Sequence, residues 1–212
     1  LTAQLPAMGS TFIYTGPITV TNTTNFRFMG TRQGYLSQYL DRQYTYAPGL
    51  VISPLSGTNH QAITVTMTPY NTNSAIYYRI NDGEWMPYAA SFGLDGVSNG
   101  VAVVQAYTIT GPVISPTNTV THTFKVADLA VEPASQSPPV SVTATTTTPG
   151  ASVYFANGND GGETPGISAI TNLYPGPLAV TNTRALIFEG RKVGYLASDR
   201  VTRIFSGVLP SP

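Results

Sequence analysis

The chain repeats itself, and that limits its fold more than any other feature. Gly16-Pro17-Ile18-Thr19-Val20-Thr21-Asn22-Thr23 returns as Gly176-Pro177-Leu178-Ala179-Val180-Thr181-Asn182-Thr183, an offset of 160 residues. The register holds without a gap through Phe28/Phe188, Gly30/Gly190 and Gly34-Tyr35-Leu36/Gly194-Tyr195-Leu196, and upstream Tyr14 matches Tyr174. Asp41-Arg42 finds Asp199-Arg200 after a two-residue slip. An intermediate copy lies between. Leu50-Val51-Ile52-Ser53-Pro54 matches Leu129-Ala130-Val131-Glu132-Pro133, Val65-Thr66 matches Val142-Thr143, and Ala75-Ile76-Tyr77-Tyr78 lies beside Ser152-Val153-Tyr154-Phe155. The offset of 160 is thus two units of about 80 residues, each the size of a small domain. Residues 48–126 and 127–206 read as complete repeats, and 1–47 as the second half of one. Residues 207–212 resemble 49–54 and read as the start of a further repeat or as a donor strand.

Within a repeat the periodicity is that of strands. Ile76, Tyr78 and Ile80 fall on one face of an extended segment, and Tyr77 and Arg79 on the other. In the next copy Val153 and Phe155 take the inward positions and Tyr154 the outward one. Phe26/Phe28, Val104/Ala106 and Leu186/Phe188 are the inward residues of later strands, and the closing strands end in Tyr46, Phe124 and Phe205. Asn81-Asp82-Gly83 and Asn159-Asp160-Gly161-Gly162 supply turns with positive φ. Each complete repeat reads as about seven short strands with Gly, Pro and Asn turns, and no segment has an amphipathic helical period. The fold class expected is all-β, a tandem array of immunoglobulin-like β-sandwich repeats of about 80 residues.

Composition narrows the function classes. Lys and Arg number 10 and so do Asp and Glu, and only 9% of the 212 residues are charged, against about 25% in an ordinary domain. Clustered cations for nucleic acid are absent. With 42% apolar residues, charge-driven disorder is excluded too. The 30 Thr and 13 Tyr favour strands, and the polar surface rests on hydroxyls and amides. No apolar run reaches the length of a membrane-spanning helix, so no membrane insertion is expected. The chain begins Leu1-Thr2-Ala3-Gln4 without Met or a basic segment, as a processed secreted chain or a fragment would. There is no cysteine, hence no disulfide and no thiolate metal site.

One combination of motifs is specific. Pro149-Gly150-Ala151-Ser152-Val153-Tyr154-Phe155 is followed by an Asp-Gly turn and Thr164-Pro165, then Tyr174-Pro175-Gly176-Pro177-Leu178, then Gly194-Tyr195-Leu196-Ala197-Ser198 and a terminal aromatic. This resembles the chitobiase/β-hexosaminidase C-terminal-like module, also described as fibronectin-type-III-associated. The middle repeat departs from it, because Tyr88-Ala89-Ala90-Ser91-Phe92-Gly93 lacks the Tyr-x-Gly-Pro signature. The resemblance implies immunoglobulin-like sandwiches in tandem, an extracellular or cell-surface location of bacterial type, and no catalysis.

Candidate chemistry is sparse. His60 lies in a loop, and His122 shares a strand face with Val120 and Phe124. The carboxylate pairs Asp82/Glu84 and Asp160/Glu163 sit on hairpin tips, where turn formation accounts for the Asp. Asn157 to Glu163 is oxygen-rich, but Gly161 falls where a calcium ligand is wanted. Asn22-Thr23-Thr24 is a glycosylation sequon, meaningful only if the source uses it. No catalytic, cofactor or metal residues are expected. Trp85, with Tyr77 and Tyr88, is the best patch for stacking a sugar ring, against the alternative that Trp85 packs on the sandwich or its neighbour.

The expected function is a non-catalytic structural or adhesive segment of an extracellular fibre, stalk or surface protein. Its partners would be neighbouring repeats or copies of itself. The alternative is a carbohydrate-binding or spacer module of a secreted polysaccharide-degrading enzyme. The half-repeat at 1–47 would expose Phe26 and Phe28, and is completed either by strands of the same polypeptide or by a neighbouring subunit's donated strand.

Overall fold

The computed structural model describes residues 2–4, 11–18, 23–44, 48–158 and 170–206. Among them are 20 strands and no helix.

The first unit is one antiparallel sheet. Its strands are β1 (Thr2–Gln4), β2 (Thr11–Ile13), β3 (Thr24–Gly30) and β4 (Gln38–Tyr44), in the order β2-β1-β3-β4. On one face Phe26 stacks on Phe28 at 5.9 Å between centroids, with Tyr44 edge-on to Phe26 and Tyr14 edge-on to Phe28. This apolar face is the one expected from the alternation of Phe26 and Phe28, but the two rings are not exposed as expected: Phe26 is buried and Phe28 half-buried among their aromatic neighbours. The other face carries Arg27, whose Nε and Nη2 donate to the Asp41 carboxylate on the adjacent strand.

The middle unit, from Leu50 to Phe124, is a two-sheet sandwich. It holds β5 (Leu50–Ser53), β6 (Gly57–Asn59), β7 (Ile63–Pro69), β8 (Ala75–Ile80), β9 (Met86–Pro87), β10 (Phe92–Leu94), β11 (Val101–Thr110), β12 (Val113–Ile114) and β13 (Asn118–Phe124). One sheet runs β10-β7-β5; the other runs β6-β13-β11-β8-β9, with β12 on β11. All pairings are antiparallel except β6 with β13. Alternation dictates the core: Leu50, Ile52, Val65 and Met67 from one sheet face Ile76, Val104, Ala106, Val120 and Phe124 from the other. Tyr78 and Ile80 pack against this core, on the face expected for them. The Asn81-Asp82-Gly83 turn takes its positive φ at Asn81, a residue that tolerates the left-handed region.

The third unit has β14 (Ala130–Glu132), β15 (Val140–Thr145), β16 (Ser152–Asn157), β17 (Asn172–Leu173), β18 (Leu178–Val180), β19 (Arg184–Arg191) and β20 (Val201–Phe205). Its sheets are β14-β15-β18 and β17-β16-β19-β20. The first unit's sheet has the order of the latter. Val142, Leu186, Phe188 and Phe205 form the core, joined by Val153 and Phe155. The two sandwiches are immunoglobulin-like: three strands facing four or more, in the same order.

Two expectations need correcting. Tyr154 does point away from the main core, but not into water: it packs on a second cluster of Ala156, Ile170 and Ile187. Strand β19 is consequently buried on both faces from Ala185 to Gly190. Tyr88, read as a surface aromatic, packs on the core, and its hydroxyl accepts from the Met67 amide across the sandwich. Tyr174 does the same at the Ala144 amide, so Tyr88 is its counterpart despite the missing signature.

Candidate binding surface and the joint between sandwiches

The outer face of β8 and β11 gathers the expected aromatics and adds one. Cross-strand register places Tyr77 opposite Tyr107 and Arg79 opposite Gln105. The two tyrosine rings stack at 5.6 Å, and Trp85 stands edge-on to Tyr107 at 4.7 Å. The Arg79 guanidinium covers the Trp85 ring at 4.9 Å while its Nε donates to Gln105 Oε1. Beside this tier is an open cleft of about 410 Å³, lined by Arg79, Asn81, Asp82, Ser98, Asn99 and Gln105. Tyr107 was legible: with Val104 and Ala106 inward, Gln105 and Tyr107 must face out. Tyr88 does not join the tier.

The remaining candidates do not converge. Asp82 and Glu84 are exposed on their turn. His60 is exposed and donates from Nδ1 to the Lys125 carbonyl. His122 is fully buried in β13; Asn59 approaches its Nδ1 at 3.5 Å and its Nε2 has no hydrogen-bond partner. Burial pushes the His122 pKa down. Among the described residues no cluster of acidic and histidine side chains could hold a metal ion. Asp160, Glu163, most of the oxygen-rich loop, Asn22 of the sequon, Tyr46 and residues 207–212 lie outside the described residues.

The most built contact lies between the two complete sandwiches. The turn of Lys192 to Leu196, between β19 and β20, reaches back onto the middle sandwich. Leu196 donates its amide to the Phe124 carbonyl and accepts from the Val126 amide, extending the end of β13 in parallel. The Val97 amide donates to the Gly194 carbonyl. Tyr195 packs against the middle core, edge-on to Phe124 at 5.3 Å, and its hydroxyl donates to Asp95 Oδ1. Lys192 Nζ meets the same carboxylate oxygen at 2.9 Å and lies over the Tyr195 ring at 4.1 Å. The tyrosine hydroxyl and the ammonium hold the Asp95 carboxyl below its usual pKa. A Cβ on Gly100 would lie 2.7 Å from Leu196 Cγ, so this approach requires glycine.

The connecting segment has no slack. Val126, Ala127 and Leu129 are buried, and Ala127 is bound at both its amide and its carbonyl by Thr148 and Thr146. Lys125 pairs with Asp199 at 2.8 Å. A Cβ on Gly190 would lie 2.7 Å from Val126 Cγ1.

No protein-family model matches the sequence, and no curated protein matches it. Of what the resemblance to the chitobiase C-terminal-like module implies, the strand order bears out the immunoglobulin-like sandwich. Among solved structures the chain is similar to fibronectin(III)-like modules of Clostridium thermocellum CbhA, at TM-score 0.27 and 15% identity over 74% of this chain and 93% of that one. It is also similar to the D00-D0 domain of Intimin, at TM-score 0.29 and 14% identity over 74% and 98%. Domains 7, 8 and 9 of the S-layer protein SbsC match at TM-score 0.24 and 9% identity over 90% and 73%. Likeness this slight carries no functional argument, and the class rests on the strand order described above.

Proposed function

We propose that this chain is a non-catalytic structural segment of an extracellular or cell-surface protein, in which successive sandwiches are locked end to end into a stiff stalk or fibre. One observation carries the reading: the junction at residues 124–129 is not a linker but a buried, hydrogen-bonded joint. Independent domains joined for mobility have exposed polar tethers. Here the joint shares a strand edge, an aromatic packed against the neighbour's core and two ion pairs. A chain with 9% charged residues and abundant threonine suits a load-bearing element outside the cell. Small-angle scattering tests the proposal. An extended, concentration-independent profile with one fixed angle between the sandwiches is expected; a compact or freely hinged profile sinks it.

A second reading is favoured by the cleft at Arg79 and Gln105. Its polar lining and adjoining aromatic tier suit a glycan. Against it, Arg79 already covers the indole and the two tyrosines stack on each other. Glycan-array binding abolished by Trp85→Ala would establish this reading; binding unchanged by that substitution would remove the tier from any binding role.

A further inference from the structure

The turn that builds the joint exists twice in this chain. Arg32-Gln33-Gly34-Tyr35-Leu36 corresponds to Lys192-Val193-Gly194-Tyr195-Leu196 at the offset of 160. The two have the same conformation. Tyr35 donates its amide to the Arg32 carbonyl at 3.0 Å, as Tyr195 does to Lys192 at 3.1 Å. Gly34 and Gly194 have φ of 80° and 78°. Arg32 lies over the Tyr35 ring at 4.8 Å, as Lys192 lies over Tyr195. Their surroundings differ. The second turn is docked, whereas Tyr35 is 67% exposed and Leu36 is 93% exposed.

We infer that Arg32 to Leu36 is a docking knob for a sandwich of the middle-repeat type whose own acceptor is vacant. The proposal rests on the stiff-joint reading and extends it to a second joint. Isolated exposed apolar residues are ordinary. This cluster is different, because the chain itself displays the surface that receives its duplicate. That acceptor has a carboxylate for the knob's cation and tyrosine hydroxyl, a loop bearing glycine at 96 and 100, and the strand edge at the end of the closing strand, to which Leu196 bonds.

The acceptor chemistry belongs to the middle repeat. Its loop reads Asp95-Gly96-Val97-Ser98-Asn99-Gly100; at the corresponding place the first and third units have Thr21-Asn22-Thr23 and Thr181-Asn182-Thr183. The middle repeat in turn lacks the Gly-Tyr-Leu knob and has Gly111-Pro112-Val113-Ile114 in its place. Knob and acceptor thus alternate along the chain. This supplies a physical reason for identity being stronger at an offset of two units than of one: alternate units must fit the same kind of neighbour. A second wild-type copy is not the occupant, because its acceptor is filled by its own residues 192–196.

Emptying that acceptor provides the test. The labelled protein is the full chain carrying Lys192→Ala, Tyr195→Ala and Leu196→Asp, which remove the side chains that fill the acceptor, and Tyr35→Ala, which removes its own knob. Unlabelled wild-type chain is added to about 1 mM, the effective concentration that a short tether supplies. Amide shifts are expected at residues 95–100 and 124–126 of the labelled chain. They should vanish when the added chain carries Arg32→Glu, and return when the labelled chain also carries Asp95→Arg. If that combination unfolds the third sandwich, Lys192→Ala with Tyr195→Ala opens the carboxylate side of the same acceptor. No shifts with a folded labelled chain, or shifts that persist with a Tyr35→Ala donor, overturn the inference. Residual dipolar couplings of the wild-type chain separate it from the parent reading. Two independent alignments for the two sandwiches sink the stiff joint itself, whereas a single alignment without docking sinks only the second knob.

Discussion

At the residue scale, single side chains here are held by what lies on both sides of them. Phe188 is fully buried among both sheets of the third sandwich, so Phe188→Ala should cost about 3–5 kcal/mol. Tyr154 faces the satellite cluster and carries Arg191 over its ring at 4.7 Å. Tyr154→Ala should therefore cost a measurable but smaller amount, about 1–2 kcal/mol. Urea unfolding of the two variants checks the order, and equal losses would contradict the face assignment. Gly190 offers a sharper case. Gly190→Ala drives a methyl into Val126, for an expected loss of about 1–3 kcal/mol. Adding Val126→Ala should recover part of it, since the two sites share one contact; strictly additive losses would show that the clash is relieved elsewhere.

At the element scale, β13 combines apolar inward residues with one titratable group. His122 is buried in its uncharged form, and burial lowers its pKa from the ordinary 6.5. A base whose folded pKa is depressed costs the fold its proton-binding energy on acidification. Its stabilising contribution is complete above about pH 6.5 and declines as pH falls below that value toward the depressed pKa. Thermal melts at pH 7.5 and 5.5 should show this loss, and His122→Gln should flatten it. Glu189 works in a lower window. Burial alone would raise its pKa, but Arg200 and Arg191 at 2.9 and 2.6 Å outweigh that and hold it below the ordinary value. Stability from this group is present above about pH 4.5 and is lost as pH falls through the depressed value. The faces of β8, β11 and β13 were legible as period-2 alternation. The double burial of β19 was not: in Leu186-Ile187-Phe188 three successive apolar residues leave no alternation, and the cover for Ile187 comes from Ile170, distant in sequence.

At the scale of the whole molecule, the joint determines the mechanical character. Its ion pairs are partly exposed, with Asp95 and Asp199 side chains at 55% and 76%. Salt at about 1 M shortens the screening length to about 3 Å and weakens such pairs. The strand-edge hydrogen bonds and the burial of Tyr195 are not screened. Scattering profiles between about 0.05 and 1 M NaCl should therefore superimpose. Opening of the angle with salt would mean that the ion pairs alone hold the sandwiches together.

The sequence by itself determined what is local or periodic. Alternation set which face of each strand is apolar, and Asn and Gly set the turns. It also marked Gly34-Tyr35-Leu36 and Gly194-Tyr195-Leu196 as the same element. It could not distinguish their fates, because docking depends on which loop of another unit lies opposite. Nor could it separate Tyr88 from Trp85, two aromatics on one short hairpin, since only the facing sheet gives Tyr88 an amide to bind. Contacts across the sandwich and between sandwiches join residues about 20 to 100 positions apart. Such pairings are decided by the twist and stacking of sheets, and so only the tertiary structure could decide them.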